Sequence, residues 1–131
     1  MMRYDYTITK IYGEFSIDVY DKNIEHQAKK IISLLGDVNI RNTKKGSVLC
    51  NYETPTIATP NIDEVSDILC EKLEPFVDEF AHFYAQNKEK CYMGICFVVY
   101  LSEEDGISII INQRLLKLAT ALGVEIQFDG F

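Results

Sequence analysis

"RYDYTITKIYGEFSIDVY", residues 3–20, is the stretch that decides the fold. Apolar and polar side chains alternate over residues 4–9, and they alternate again after Gly13 through Phe15, Ile17 and Val19. Such alternation places every second side chain on the same side of a strand, so the segment predicts a sheet with one buried face. Residues 3–12 form the first strand in this interpretation. Residues 14–20 are either a second strand or a bulged continuation of the first, and both alternatives stay open.

The next part of the chain predicts a helix and a short strand. Residues 21–36 have the spacing of a helix of about 13 residues, which Asp21 or Asn23 caps and Gly36 ends. A polar, basic loop follows at 39–47, and then a strand at 48–52. Residues 53–60 form a linker, because two prolines there exclude regular structure.

The second half begins with a long helix. Asn61 starts it, Glu64 completes a capping-box-like pattern, and Pro75 predicts a kink or break. Its apolar stripe consists of Ile62, Val65, Leu69, Leu73, Phe76, Phe80 and Phe83. Strands are then predicted at 91–101 and 106–111, joined by a turn at 102–106. A short helix follows between Asn112 and Gly123, and a strand at 124–128 closes the order.

These elements predict an α+β fold. Helices that alternate with mostly antiparallel strands favour a single mostly antiparallel sheet with helices packed on it, either ferredoxin-like or a related two-layer sandwich. A chain of 131 residues has the size of one domain, which we expect to span residues 1–131.

Charge is the informative part of the composition. The chain has 20 acidic and 13 basic residues and a net charge of −7. Seven of the acids and a single base lie in residues 61–86, so the excess is local. This distribution argues against nucleic acid and against an anionic membrane as partners. No secretory signal is visible at the start, and the four cysteines are typical of free thiols, so we expect a cytoplasmic protein.

Nothing in the sequence indicates catalysis, a cofactor or a metal site. Cys91 and Cys96 point to opposite faces of a strand and cannot hold one ion together. His26 and His82 fall on the polar sides of two different helices, and no nucleophile lies in a motif that would pair it with a base. The glycines occur singly, so there is no phosphate-binding loop. We therefore expect a protein that is not an enzyme.

The long helix carries a row of acids, which we call the acidic stripe: Asp63, Asp67, Glu71, Glu74 and Asp78. Steps of three or four residues keep these side chains on one side of a helix, where like charges repel by about 0.2–0.5 kcal/mol per pair. The stripe is either a solubilising surface or a surface for a cationic partner. A cost without a local benefit favours the second interpretation, and we take the stripe as the candidate partner-binding site.

Short stretches across the chain resemble a bacterial family catalogued as domain of unknown function 4279. The ending "GISIIINQRLLKLATALGVEIQFDGF" is similar to the family's strand, short helix and last strand. "YTITKIYG", "IISLLGDVNIRNTKKG" and "CEKLEPFVDEF" are similar to its opening strand, a helix end and a proline-containing central helix. The resemblance implies a small cytoplasmic α+β domain and a relation to immunity proteins encoded beside bacterial toxins.

Two functions from different classes follow. The first is an immunity protein that inhibits a cognate toxin with a basic surface, most plausibly a nuclease of a contact-dependent or polymorphic toxin system, with the stripe replacing substrate phosphates. The alternative is a small-molecule-binding or regulatory domain, with a pocket between the sheet and the helices lined by Tyr4, Tyr6 and Tyr92. The apolar segment 96–101 also leaves open an edge strand that is used for self-association, as in a homodimer, or for strand addition to a partner.

Overall fold

The computed structural model describes residues 8–103 and 109–130. The strands are β1 (Lys10–Val19), β2 (Asn39–Asn42), β3 (Val48–Glu53), β4 (Ile57–Ala58), β5 (Cys91–Tyr100) and β6 (Glu125–Gly130). The helices are α1 (Glu25–Ile32), α2 (Asp63–Leu73), α3 (Val77–Asn87) and α4 (Gln113–Leu122). Single 3-10 turns precede α1, follow α1 and separate α2 from α3.

The strands form one sheet in the order β2-β3-β1-β5-β6, with β4 paired to the beginning of β1. All pairs are antiparallel except β5 and β6, which run parallel and have α4 between them in the chain. A parallel pair of neighbouring strands needs a crossover of this kind. The long strand β1 lies in the middle and is hydrogen-bonded on both sides, so it organises the sheet.

The open question about residues 14–20 is answered by β1, which is a single strand of 10 residues. Its start lies at Lys10, later than predicted, and residues 3–7 lie outside the described residues. Gly13 causes no break, because Thr54 continues the ladder beside it: Gly13 N donates to Thr54 Oγ1 at 2.9 Å, and Thr54 N donates to the Gly13 carbonyl at 2.8 Å. A Cβ at Gly13 would lie 3.1 Å from Val65 Cγ1, so the glycine lets α2 approach the sheet closely.

The core lies between the sheet and the helices. Ile11, Phe15 and Ile17 of β1 are fully buried and point to the same side. Phe80 of α3 packs edge-on against Phe15, with ring centroids 5.0 Å apart. The predicted stripe of the long helix is buried throughout, except that Phe76 is only partly buried. Each fully buried apolar side chain of this size contributes about 1.5–3 kcal/mol.

The helix ends follow local chemistry. Asp21 Oδ1 accepts from Asn23 N before α1, and Asn112 Oδ1 accepts from Leu115 N at the start of α4. Gly123 ends α4 with a φ of 75°, in the left-handed region that favours glycine. The break at Pro75 is confirmed as the 3-10 turn between α2 and α3.

The predicted capping box at Asn61 is only half present. Asn61 Oδ1 accepts from Asp63 N at 2.9 Å, as a capping side chain does. The Asn61 N–H, however, donates to Thr59 Oγ1 and not to Glu64. The threonine is available because the preceding loop folds back onto the helix start.

Four other assignments were wrong. The segment 96–101 is not an edge strand, because β5 lies between β1 and β6 in the sheet. Residues 39–47 are not all loop, because β2 pairs with β3 across the turn at Gly46. The linker 53–60 contains the short strand β4, since its prolines flank Ile57–Ala58 and leave those two residues free to pair with β1. Residues 109–111, the described part of the predicted strand 106–111, are not in a strand. The predicted turn at 102–106 lies mostly outside the described residues.

The fold is therefore α+β, with one mostly antiparallel sheet and helices packed on it. It is a two-layer sandwich, and its element order differs from the β-α-β-β-α-β order of ferredoxin-like domains. None of the helices in residues 8–103 and 109–130 has the length and apolar character that crossing a membrane requires.

Candidate functional site

The sheet face that points away from the core is the most distinctive surface of the described chain. We call it the open face. The alternation along β1 is strict, with Ile11, Phe15 and Ile17 buried and the residues between them only half-buried. The strand registers bring the following charged side chains to the open face: Lys10, Glu14, Asp18, Arg41, Glu53, Glu125 and Asp129. Five carboxylates therefore share this face with two cations.

A groove of about 520 Å³ crosses the open face between β2, β3, β1 and β5. Its lining includes Tyr12, Glu14, Arg41, Asn51 and Glu53. Tyr100 and Asp129 complete one side. Because no helix of the described chain packs on this face, the groove stands open on the side opposite the core, lined by polar and aromatic groups.

Two carboxylates meet in this groove. Glu14 and Glu53 are register partners on adjacent antiparallel strands, a position in which like charges repel. Asn51 lies between them, and its Nδ2 donates to Glu14 Oε2 and to Glu53 Oε1, at 3.4 Å each. Burial is the main cause that raises the pKa of Glu14, and the charges of Glu53 and Asp129 raise it further. The hydrogen bond from Asn51 and the charge of Arg41 oppose this shift.

The Tyr12 hydroxyl and the Cys96 thiol on this face both have pKa values above their ordinary range. Burial, followed by the charge of Glu14, raises the pKa of Tyr12 to about 12. Burial, followed by the charges of Asp129 and Glu14, raises the pKa of Cys96 to about 12. The Cys96 thiol donates to Asp129 Oδ2 at 3.6 Å. A thiol held protonated in this way is a poor nucleophile.

Tyr92 lies farther along β5 on the same face. Its hydroxyl donates to Glu125 Oε2 at 3.4 Å and accepts from Gln127 Nε2 at 3.1 Å. Its ring extends over Gly94, where an added Cβ would lie 2.9 Å from Tyr92 Cε1. The predicted pocket between the sheet and the helices is wrong for Tyr92, because the register places this side chain on the open face. Tyr4 and Tyr6, the other two tyrosines predicted to line it, lie outside the described residues.

The acidic stripe lies on the helical side and is partly covered by the chain itself. Arg114 of α4 donates from Nε to Glu74 Oε2 at 2.9 Å and from Nη2 to Glu74 Oε1 at 2.6 Å. Its Nη1 lies 3.7 Å from Asp67 Oδ1. The hydrogen bonds from Arg114 lower the pKa of Glu74, and those same bonds raise the pKa of the guanidinium.

The remaining members of the stripe differ from these two. Asp63 is half-buried and its Oδ1 accepts from Asn112 Nδ2 at 3.3 Å. Glu71 and Asp78 are exposed, and within the described chain neither side chain makes a hydrogen bond or ion pair. The structure thus joins Asp63, Asp67 and Glu74 to α4 and leaves two acids available, and the binding role of the stripe stays a prediction.

The other side chains considered as chemical groups are dispersed. Cys50, Cys70 and Cys91 are buried, and burial raises the pKa of each of these thiols. His26 and His82 are exposed on α1 and α3. Among residues 8–103 and 109–130, no three histidine, cysteine or carboxylate side chains come together as metal ligands.

The sequence did not reveal the open face, because its members come from five strands. The alternation in residues 10–19 was a usable signal, since Tyr12, Glu14 and Asp18 share one parity. That signal could not say which residues of other strands would lie beside them. Register across the sheet, which depends on long-range pairing, supplies that information.

Comparison with known proteins gives no independent indication of family. No protein-family model, no curated protein and no solved structure matches this chain.

Proposed function

We propose that this protein inhibits a basic protein partner by binding it, as an immunity protein does with a cognate toxin, and that it performs no chemistry of its own. The observation that carries the proposal is the open face, on which three carboxylates and two tyrosines of the described chain line a groove that contains one cation, Arg41. Interfaces favour tyrosine, and a concentrated negative field accelerates the encounter with a positive surface.

The mechanism is occupation of a basic site. In a nuclease-type toxin, the residues that hold substrate phosphates would meet carboxylates instead, and substrate would be excluded. Glu71 and Asp78 of the acidic stripe supply a second negative area, because no side chain of the described chain neutralises them. The resemblance to immunity-type proteins supports the same reading, and nothing in it calls for a cofactor.

The test uses the protein encoded beside this gene as the candidate toxin. Co-expression should restore growth, and stopped-flow mixing should give a fast association that slows with added salt. The double variant Glu53→Lys/Asp129→Lys should lower the association rate at low salt by roughly a decade or more. Both residues are exposed, so folding should be kept, and circular dichroism checks this.

Glu71→Lys/Asp78→Lys is the matched control, with the same change in net charge on the helical side. A larger effect from the open-face pair supports the proposed interface, whereas a larger effect from this control pair assigns the interface to the stripe. If neither pair changes the rate while inhibition persists, the acidic surfaces are not the binding site. Failure to inhibit the neighbouring protein would remove the immunity role itself.

A small-molecule-binding domain is the second candidate, and the groove is the observation that favours it. Its volume of about 520 Å³ is in the range of ligand pockets, and Glu14, Asn51 and Arg41 converge on it. The open side of the groove favours a protein side chain over a ligand that must be enclosed. A compound that raises the melting temperature of the wild type and leaves that of Glu14→Gln unchanged would support this alternative.

A further inference from the structure

The floor of the groove contains a hydrogen-bond acceptor that nothing in the described chain satisfies. Asn51 is only 6 % exposed, and its Oδ1 is buried without a hydrogen-bond partner. A buried acceptor without a donor costs free energy, and an unpaired one in a native protein calls for an explanation. The oxygen has almost no accessible surface in the free protein, so a donor that arrives with a ligand in the groove reaches it only as neighbouring side chains move aside.

The orientation of the Asn51 amide is set by its neighbours. Its Nδ2 donates to the carboxylates of Glu14 and Glu53, and rotation of the amide by half a turn would place a carbonyl oxygen against both. Carboxylates accept and do not donate when ionised, so the rotated form would lose both bonds. Oδ1 is therefore the atom left for a ligand.

The carboxylates that line the groove favour a hydrogen-bond donor that carries positive charge. Glu14, Glu53 and Asp129 are acceptors, and together they outnumber the one cation at the groove, Arg41. Arg41 is exposed and makes no ion pair within the described residues, so the three carboxylates are not neutralised. The rings of Tyr12 and Tyr100, with centroids 6.3 Å apart and planes inclined by 33°, form an aromatic wall.

A guanidinium group fits this combination better than other cations. It is planar, offers five N–H donors in a fixed fork and packs against aromatic faces. An ammonium group offers three donors from one point and matches two separated acceptors less well. A metal ion is disfavoured, since the described acids do not converge as a ligand set.

We propose that the groove on the open face takes the side chain of an arginine from the protein partner, with the guanidinium donating to Asn51 Oδ1 and to the carboxylates of Glu14 and Glu53 while it packs beside Tyr12. This inference rests on the proposed function and names the chemistry that the partner presents. Arg41 lies at the edge of the same groove and competes electrostatically with the incoming arginine.

The test is a titration of the ¹⁵N-labelled protein with Nα-acetyl-arginine N-methylamide, followed by NMR. The amides of Tyr12, Glu14, Asn51 and Glu53 should shift together. The lysine analogue should bind at least about fivefold more weakly, because a point charge cannot make the bidentate contact. The citrulline analogue, which keeps the shape and lacks the charge, should cause no shift at matched ionic strength.

Variants separate the groove from general attraction to an acidic protein. Glu14→Gln should weaken binding of the arginine analogue at least about fivefold, because a charge-assisted bond becomes a neutral one. Glu71→Gln, the control on the helical side, removes the same charge and should leave binding unchanged. Arg41→Gln should strengthen binding, since it removes the competing cation.

The outcomes are distinct. Equal binding of the arginine and lysine analogues, shifts centred on Glu71 and Asp78, or no shifts at all would each overturn the inference. If the arginine analogue binds at the groove but the protein does not inhibit the neighbouring toxin, the proposed function is overturned and the groove assignment is kept. If Glu14→Gln still inhibits the toxin with unchanged affinity, the groove assignment is overturned and the proposed function is kept.

Discussion

The open face and the acidic stripe are both rich in carboxylates, yet the molecule treats them differently. On the stripe, one guanidinium from α4 holds Glu74 in a bidentate contact and lies near Asp67. On the open face, the carboxylates are bonded by neutral groups, with Asn51 donating to Glu14 and Cys96 donating to Asp129. The comparison teaches that a cluster of acids indicates a binding surface for another molecule only where no cation of the same chain already neutralises it.

The reason lies in the layers of the fold. α4 packs beside α2 and α3 on the helical side, so a long side chain such as Arg114 reaches the stripe from a neighbouring helix. No described element covers the opposite side of the sheet, and side chains there meet only those of adjacent strands. Charge on that side is thus left for solvent or for another molecule.

The substitution with the largest expected loss of stability tests whether the open face and the helical side unfold as one cooperative unit. Phe80 joins α3 to the back of β1 through Phe15, and Phe80→Ala should lower the free energy of unfolding by about 3–5 kcal/mol. Urea titrations followed by far-ultraviolet circular dichroism and by tyrosine fluorescence should show one coincident, shifted transition.

Phe76→Ala is the control for this variant. Because Phe76 is only partly buried, its truncation should lower the free energy of unfolding by less. Two separate transitions in either variant would mean that the helical layer and the sheet unfold independently. In that case the helices would not hold the open face in shape.

A smaller effect compares the two regions directly through one kind of substitution. Glu14→Gln should stabilise the fold by up to about 1 kcal/mol, because it removes a half-buried charge opposite Glu53. Glu74→Gln should destabilise it slightly, because it weakens an exposed ion pair with Arg114. Equal signs for the two variants in urea titrations at pH 7 would contradict the contrast between the regions.

The contributions of Glu14 and Glu74 to the free energy of unfolding should also change with pH in opposite directions. The raised pKa of Glu14 means that its contribution is most favourable below the ordinary carboxyl pKa of 4.5 and is lost as the pH rises above it. The advantage of Glu14→Gln should therefore grow between about pH 4 and pH 7. The lowered pKa of Glu74 means that its contribution is present above 4.5 and is lost as the pH falls further. The penalty of Glu74→Gln should accordingly vanish in acid.

The smallest expected effect is on the rate at which the Cys96 thiol is modified, and the stability of the fold should stay almost unchanged. Cys96 has a pKa of about 12, so iodoacetamide should modify it slowly at pH 8. Asp129→Asn should raise the rate severalfold, because it removes a charge that disfavours the thiolate. Peptide mapping by mass spectrometry measures the rate at this cysteine. Asp78→Asn on the stripe is the control, and an equal acceleration there would mean that the open face has no local field.

Much of the fold could be predicted from local patterns. The alternation of β1, the Asn112 cap, the glycine that ends α4 and the break at Pro75 each depend on residues close together in the chain. The errors fall where pairing over long distances decided the outcome. β2 and β4 have little strand character of their own and exist because β3 and β1 offer them free backbone groups.

The candidate site was less predictable than the fold. The sequence marked the acidic stripe, because helical spacing is visible in a single segment. It could not show that Arg114, 40 positions after Glu74, would bind the centre of that stripe. Nor could it show that Glu14, Asn51 and Glu53 would surround one groove.

By itself, the sequence determined the local elements, their apolar faces and the excess of negative charge, because these follow from propensity, periodicity and composition. Only the tertiary structure decided which charges are neutralised and which face a groove. The physical reason is that electrostatic and hydrogen-bond energies depend on distances of a few ångströms. In this chain those distances are set by strand register and by the packing of α4 against α2, and both join residues that lie far apart in the sequence.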